Sequence, residues 1–403
     1  MAETDRFTKR FHIFLSSALF AIGLFIFIGG FYFNENYFLN YSPDKTLKSS
    51  TIESIHNLQI GLMGASLMFF LLVLVILVNR NKSYSFIGRH KKLLQNFTLL
   101  IIVVIIIFTA SEIILRAIYK ETTFAGGFGP GSLQFNKKYV QVNNDGMRDR
   151  SFAVNKPANT IRIASIGDSF AFGSGIKNIS DTYSKSLEIK LNDLNNGKKY
   201  EVLNFGIMGL STDDEIILLK DKALKYSPDI IILGYVPNDF INVERGDYRE
   251  HWTILPGGFW LRNFFFTYAL AELRINRILE DFNVKDTGLE VILRKINSTK
   301  NIEYNEKLFL ELAKITGENN ISVLIANFPA IYSLSNYSLK SLNVFVENTS
   351  FKNGFYYLDL TPVYAEYNES ELIVNKYDAH PNEKGHEIAS IKILEKLKNG
   401  GLV

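Results

Sequence analysis

The sequence predicts an α/β chain in two parts, three transmembrane helices followed by a three-layer α/β/α domain on a five-stranded parallel sheet. Three observations carry that prediction. Three long segments are almost free of charge, five short β-branched apolar runs alternate with amphipathic stretches, and a Gly-Asp-Ser turn closes the first of those runs.

The 403 residues are 47% hydrophobic and 13% aromatic, and the apolar excess lies near the amino end. Residues 11–33, 58–78 and 97–119 are each long enough, at about 1.5 Å of rise per residue, to cross a hydrocarbon core of roughly 30 Å. Their apolar residues occupy every helical face, whereas a buried soluble helix shows one stripe. No small-residue cleavage site follows the first segment and two more spans do, which excludes a cleaved signal peptide as its explanation. Lys9 and Arg10 precede the first span. The second connection carries Arg80, Lys82, Arg89, Lys91 and Lys92 with no acidic residue, while the first mixes Glu35, Asp44 and Glu53 with Lys45 and Lys48. Basic residues stay cytoplasmic, so the amino terminus is expected inside and everything after the third span outside, anchored in a bacterial cytoplasmic membrane. Glu112 and Arg116, four apart, are expected to pair within the third span.

The domains expected are therefore a membrane domain at 1–120, a linker and lead-in at 121–159, and an α/β domain at 160–403. Residues 124–131, rich in glycine, end the last span. Residues 140–157 read as turns and short strands. Strands are then expected at 161–166, 201–205, 230–233, 321–326 and 356–360, with helices at 213–226 and 304–318. Continuous apolar strands separated by helices imply a parallel sheet covered on both faces. Residues 240–299, with Trp252, Trp260 and the aromatic run 264–268, form an insertion: an apolar cluster of its own, or a lid or a substrate-binding or membrane-facing surface.

Some chemistry is excluded by composition. The net charge of +3 is not gathered into a basic stripe, which argues against nucleic acid. There is no cysteine, hence no disulfide, thiolate or Cys-based metal site. No cluster of acids and histidines has ligand spacing, so neither a metal nor another cofactor is expected.

Four separated blocks carry the chemistry that remains. Gly167-Asp168-Ser169 puts a serine hydroxyl at the carboxyl end of the first strand, where a parallel sheet builds its site. Asn204 to Gly209 follows the second strand, with Gly206 and Gly209 either aiming an N–H at a developing oxyanion or making an ordinary turn. Asn238, after the third strand, either donates to the same oxyanion or forms an Asx turn. Near the carboxyl end, the block 377–386 offers His380 as a base and Asp378 to orient it. His12 and His90 flank membrane spans on the cytoplasmic side, His56 lies in the first outer connection, His251 has no nearby partner in sequence, and His386 reads as structural.

Together these blocks resemble the SGNH subgroup of the GDSL esterases and lipases over residues 160–403. The resemblance implies that Ser169 is the nucleophile and His380 the general base. It implies an oxyanion hole made by the N–H groups of Ser169 and Gly209 and the Asn238 side chain, with Gly206 the alternative glycine. Two departures stand out: Phe170 replaces the family leucine, and the acid lies two residues before the histidine where three is commonest. Asp378 is expected to orient His380, with Asp359 as the substitute, and Asp168 to brace the turn. The function implied is a membrane-anchored, extracytoplasmic serine esterase that cleaves an acyl ester, acetyl by expectation, of an envelope carbohydrate or lipid. The alternatives are an O-acyltransferase using the same residues, working with envelope-polysaccharide machinery, or a non-catalytic glycan-binding or assembly subunit.

Overall fold

The structure is a computed structural model that describes residues 2–32, 34–36, 49–119, 130–241, 261, 265–281, 288–376 and 378–403. It divides into two compact units, Met1–Ile114 and Leu115–Val403.

The first unit contains the helices Ala2–Tyr32, Ser49–Val78 and Arg80–Arg89 and most of Lys91–Ile118. Segments of three of them, Arg6–Tyr32, Ile55–Val78 and Lys91–Ile118, are long and apolar enough to cross a membrane. The first two pack on one another, burying Ser16, Ile55 and Val73, while on the third every large apolar residue from Leu99 to Phe108 is exposed. An apolar surface open on all sides of a helix is a surface made for lipid. The connection at 80–89, with its cluster of basic residues, is itself a helix.

In the second unit five strands form one parallel sheet: β1 (Thr160–Gly167), β2 (Lys199–Asn204), β3 (Ile230–Tyr235), β4 (Ser322–Asn327) and β5 (Tyr356–Asp359). The order is β2-β1-β3-β4-β5. These are the five strands expected, within two residues at each end. Each strand sends alternate side chains to opposite faces. Ala164 and Ile166 of β1, Ile231 and Leu233 of β3, and Val323 and Ile325 of β4 meet Leu219, Phe309 and Val346 from the helices Thr212–Asp221, Thr299–Glu318 and Lys340–Lys352. On the other face, Ile163, Ile230, Ile232, Leu324 and Ala326 meet Leu187, Leu191, Ile393 and Leu397 from the helices Tyr183–Asn192 and Glu383–Asn399. Helices on both faces account for the runs of unbroken hydrophobicity. The chain leaves β1 toward β2 and then crosses to β3 on the other side, so the crevice at the carboxyl ends of β1 and β3 is the switch point where such sheets bind ligands.

Three expectations are corrected or refined. Residues 140–157 contain turns but no strand, and far from being a loose lead-in they are packed into the second unit: Met147, Arg148 and Asp149 are buried. The helix expected at 213–226 breaks after Asp221 into a 3₁₀ turn, Ala223–Tyr226. The last block is not a plain loop before a helix, because Ile373–Asn375 (β6) pairs antiparallel with Asp378–Pro381 (β7). Of the insertion, the helices Phe266–Asp281 and Gly288–Ile296 are described, while His251, Trp252, Trp260 and Phe264 lie outside the described residues.

At the amino end of the sheet, Arg162 on β1 is wholly buried beside its cross-strand partner Glu201 on β2. Its Nε donates to Glu201 at 2.9 Å, and its other nitrogens donate to the carbonyls of Ala153 (2.6 Å), Val154 (2.8 Å) and Tyr226 (2.8 Å). One guanidinium thus ties the lead-in and the 3₁₀ turn to the sheet edge. Arg162→Ala is expected to cost about 3–5 kcal/mol, because Glu201 keeps a buried charge without its partner. Denaturant titration should show the lower midpoint, and the Arg162→Met, Glu201→Leu pair should lose less than Arg162→Ala alone.

Candidate active site

The site begins with a turn that only small residues permit. β1 ends at Gly167, where a Cβ would stand 2.8 Å from Ala171 Cβ and 3.2 Å from the Gly234 carbonyl of β3. Asp168 then caps a four-residue helix, Ser169–Phe172, its Oδ1 accepting the Phe170 N–H at 2.8 Å. Ser169 is the first residue of that helix, so its N–H belongs to the set a helix start leaves without an internal acceptor. Its hydroxyl stands at the mouth of the switch point. Asp168 is buried and braces the turn as expected; burial raises its carboxyl above the usual range, against the Phe170 N–H, the His380 charge and the hydrogen bonds of Asn238 and Ser169.

His380 reaches this hydroxyl from the far end of the chain. Its Nε2 lies 2.8 Å from Ser169 Oγ, and its Nδ1 lies 2.6 Å from Asp378 Oδ1. The two-residue spacing follows from β7. On a strand, residues two apart share a face, so Asp378 and His380 project together where a helix or loop would need a different interval. Asp359 serves elsewhere: it accepts from Asn343 Nδ2 (3.1 Å) and from the Thr361 N–H (2.8 Å). The Asp378 side chain is fully buried, while the His380 ring keeps 21% of its surface exposed. Burial pushes the imidazole down, but the hydrogen bond and charge of Asp378, with the charge of Asp168, outweigh it and hold the His380 pKa above its ordinary value. Phe170 sets its ring 5.6 Å from that of His380.

The two glycines of the second block separate by environment. Gly206 donates its N–H to Asn204 Oδ1 at 2.9 Å, and a Cβ there would stand 2.1 Å from the Phe172 nitrogen. It is a packing glycine under the nucleophile helix. Gly209 lies in an exposed turn with φ +74°, with open space where a Cβ would be. Asn238 sits in the 3₁₀ turn Pro237–Phe240 after β3 and hydrogen-bonds Asp168 through its side chain. Its amide therefore faces the Ser169 turn.

Sequence reasoning missed the supports of this site. Arg148 is buried and donates to the carbonyls of Phe172 (3.2 Å), Gly173 (2.5 Å) and Ile176, fastening the exit of the nucleophile helix; burial lowers its pKa to about 10, still well above neutrality. Lys185 joins Asp149 (3.1 Å) to the Val202 carbonyl (2.7 Å) on β2. His386, fully buried, accepts the Tyr183 N–H on Nδ1 at 3.1 Å; burial first, then the charges of Arg148 and His380, push it down to about 3, so it stays neutral and structural. The only signal for Arg148 and Asp149 was charge in a turn-rich stretch, which ordinarily marks solvated surface. Among the described residues no group of acids, histidines or cysteines is arranged to hold a metal.

No family model matches the sequence, and no curated protein matches it. Solved structures do match. A two-domain esterase active on acetylated mannans aligns at 14% identity with a TM-score of 0.39, covering 60% of this chain and 49% of its own. The chain thus spans about half the length of that protein. An acetyl xylan esterase aligns at 15% identity and TM-score 0.35 over 58% of this chain and 98% of its own. A lipase/acylhydrolase from Enterococcus faecalis aligns at 15% and 0.36 over 60% and 96%. At these scores the likeness adds no weight to a catalytic role, which stands on the distances above.

A raised His380 pKa has a readable consequence. A ring held above its ordinary pKa stays charged to a higher pH than a free imidazole. An NMR titration of the His380 ring should show its midpoint above 6.5, and Asp378→Asn should move that midpoint down, since it removes the partner that favours the charged ring. A midpoint unmoved by Asp378→Asn would detach Asp378 from His380.

Proposed function

We propose that this protein is a membrane-anchored serine esterase whose α/β unit faces the extracytoplasmic side. The observation that carries this reading is the continuous relay from Ser169 Oγ to His380 Nε2 (2.8 Å) and from His380 Nδ1 to Asp378 (2.6 Å). Serine is a weak nucleophile at its own pKa and requires a base within this reach, oriented in turn by an acid. All three are in place, and they come from the short helix after β1 and from β7, two elements far apart in the chain.

In the reaction, Ser169 Oγ attacks the ester carbonyl carbon as His380 Nε2 takes the hydroxyl proton. The imidazolium that forms is held by Asp378. Negative charge develops on the former carbonyl oxygen, toward the Ser169 and Gly209 N–H groups and the Asn238 amide. Gly206 is unsuited to that task because its N–H is already given to Asn204. The C–O bond to the alcohol breaks, and His380 returns its proton to the leaving oxygen. Water, deprotonated by His380, then releases the acyl group from Ser169.

The substrate we assign is an acyl ester, acetyl in the first instance, on a carbohydrate or lipid of the cell envelope. Three apolar helices confine the protein to a membrane surface, and the basic connection at 80–92 supports an orientation with the catalytic unit outside. Ser169→Ala and His380→Ala are expected to abolish turnover of a short-chain p-nitrophenyl ester while circular dichroism stays unchanged. Asn238→Ala should lower kcat by roughly 10²–10³, the usual effect of deleting one oxyanion donor. Full turnover by Ser169→Ala would end the proposal, and a series of esters of increasing acyl length tests the acetyl assignment.

A further inference from the structure

The last turn of the third span belongs to the second unit, which begins at Leu115. The helix Lys91–Ile118 keeps its apolar side chains open to its final residue, and Ile118 is 64% exposed. Directly after it, the Tyr119 ring stacks on that of Phe266, with centroids 6.1 Å apart and planes at 19°. The Arg116 guanidinium lies 5.8 Å from the centre of the same Phe266 ring. Phe266 is the first residue of the helix Phe266–Asp281. That helix therefore starts where the lipid-facing surface of the span stops. Tyrosine and arginine, each an apolar body with a polar tip, are residue types that favour the headgroup level.

The helix has two sides. Phe266, Ala269 and Glu272, spaced by three, are buried and define the inner one. At about 100° of turn per residue, Ala271, Ile275 and Ile278 fall on the opposite side. All three are exposed, and Arg274 is exposed beside them. Leu261, whose carbonyl accepts the Phe265 N–H at 2.9 Å, is exposed one turn before the helix. A helix facing water carries polar residues on its outer side. Single apolar side chains on a surface need no explanation. These differ, because they repeat at helical spacing along one helix and continue an apolar surface that already faces lipid.

We propose that the helix Phe266–Asp281 is an interfacial helix, lying along the surface of the leaflet in which the third span ends. Ile275 and Ile278 enter the outer part of the acyl region, and Arg274 meets the headgroup phosphates. The partner of this face is lipid, and continuity with the exposed end of the span is what selects it over a second protein chain. An amphipathic helix that binds a membrane unaided needs a broad apolar face. This one is already held at the surface by the span and by the contact of Phe266 with Tyr119, so a narrow stripe suffices. At about 1.5 Å of rise per residue, Ile278 lies roughly 18 Å along the axis from Phe266, which spreads the contact well beyond the span itself. The inference does not depend on what the protein hydrolyses, nor on which side of the membrane the second unit faces.

The test uses the full chain in lipid nanodiscs. Because the sequence has no cysteine, a single bimane label can be placed on Ile275→Cys or on Ile278→Cys. The reference is the same label on Ile189→Cys, a residue 52% exposed on the helix Tyr183–Asn192. Phosphatidylcholine carrying a nitroxide high on its acyl chain should at least halve the emission at positions 275 and 278 and leave position 189 unchanged. Aqueous iodide should quench position 189 several-fold more than the other two. Adding Ile275→Asp to the protein labelled at position 278 should raise its iodide quenching to the level of position 189, since a charge in the stripe lifts the helix from the lipid. A nitroxide effect no larger at positions 275 and 278 than at 189 overturns the proposal. So does protection from iodide without nitroxide quenching, the result expected if protein covers the stripe, and so does a label at position 278 that Ile275→Asp leaves unchanged.

Discussion

Everything in the second unit depends on how closely the four-residue helix Ser169–Phe172 lies against the ends of β1, β2 and β3. Backbone meets backbone there: the Phe172 nitrogen occupies the space a Cβ on Gly206 would need, and the Gly234 carbonyl stands close over Gly167. That approach leaves Ser169 and Phe170 half-exposed at the switch point while Ala171 and Phe172 are buried. It also brings the second and third blocks, on loops from neighbouring strands, to the same crevice. Arg148 closes the arrangement from below by taking the carbonyls at the helix exit. A larger side chain at Gly206 would push on the helix that carries Ser169.

The electrostatics follow from that crowding. The end of the sheet collects Asp168, Asp378, Glu215 and Asp239, all nearly excluded from water, while the nearest buried cations, Arg148 and Lys185, are committed to carbonyls and to Asp149. His380 is thus the group able to gain a positive charge where acids surround the site, in keeping with a pKa held above its ordinary value. Acid–base behaviour of the site is in this sense a property of the whole strand-end cluster.

Much of the fold was legible in the sequence because it depends on local pattern. Buried parallel strands need continuous β-branched runs, and 161–166, 230–233 and 321–326 show them. Spans need length and lack of charge, and 11–33, 58–78 and 97–119 supply both. The blocks around Ser169, Asn238 and His380 were legible because each follows a strand or precedes the last helix. Residues 140–157 were misread, since a turn-rich, charged stretch looks the same whether water or a buried carbonyl receives its arginine. β6 and β7 were missed because three- and four-residue strands carry too little periodicity to be seen.

Which residues could carry the chemistry, and along which strands they would hang, was readable from the residues alone, since side-chain type and a period of two or 3.6 are local properties. The choice between Asp378 and Asp359 needed the folded chain: pairing of β7 with β6 fixes the extended backbone that puts Asp378 and His380 on one face, while Asp359 is held by Asn343 and Thr361. The same is true of Gly206, whose N–H and missing Cβ are both accounted for by neighbours 30 or more residues away or by a folded turn. Burial, finally, is not written in any one residue. Glu215 and Asp239 are both buried only because the sheet and its helices close over them.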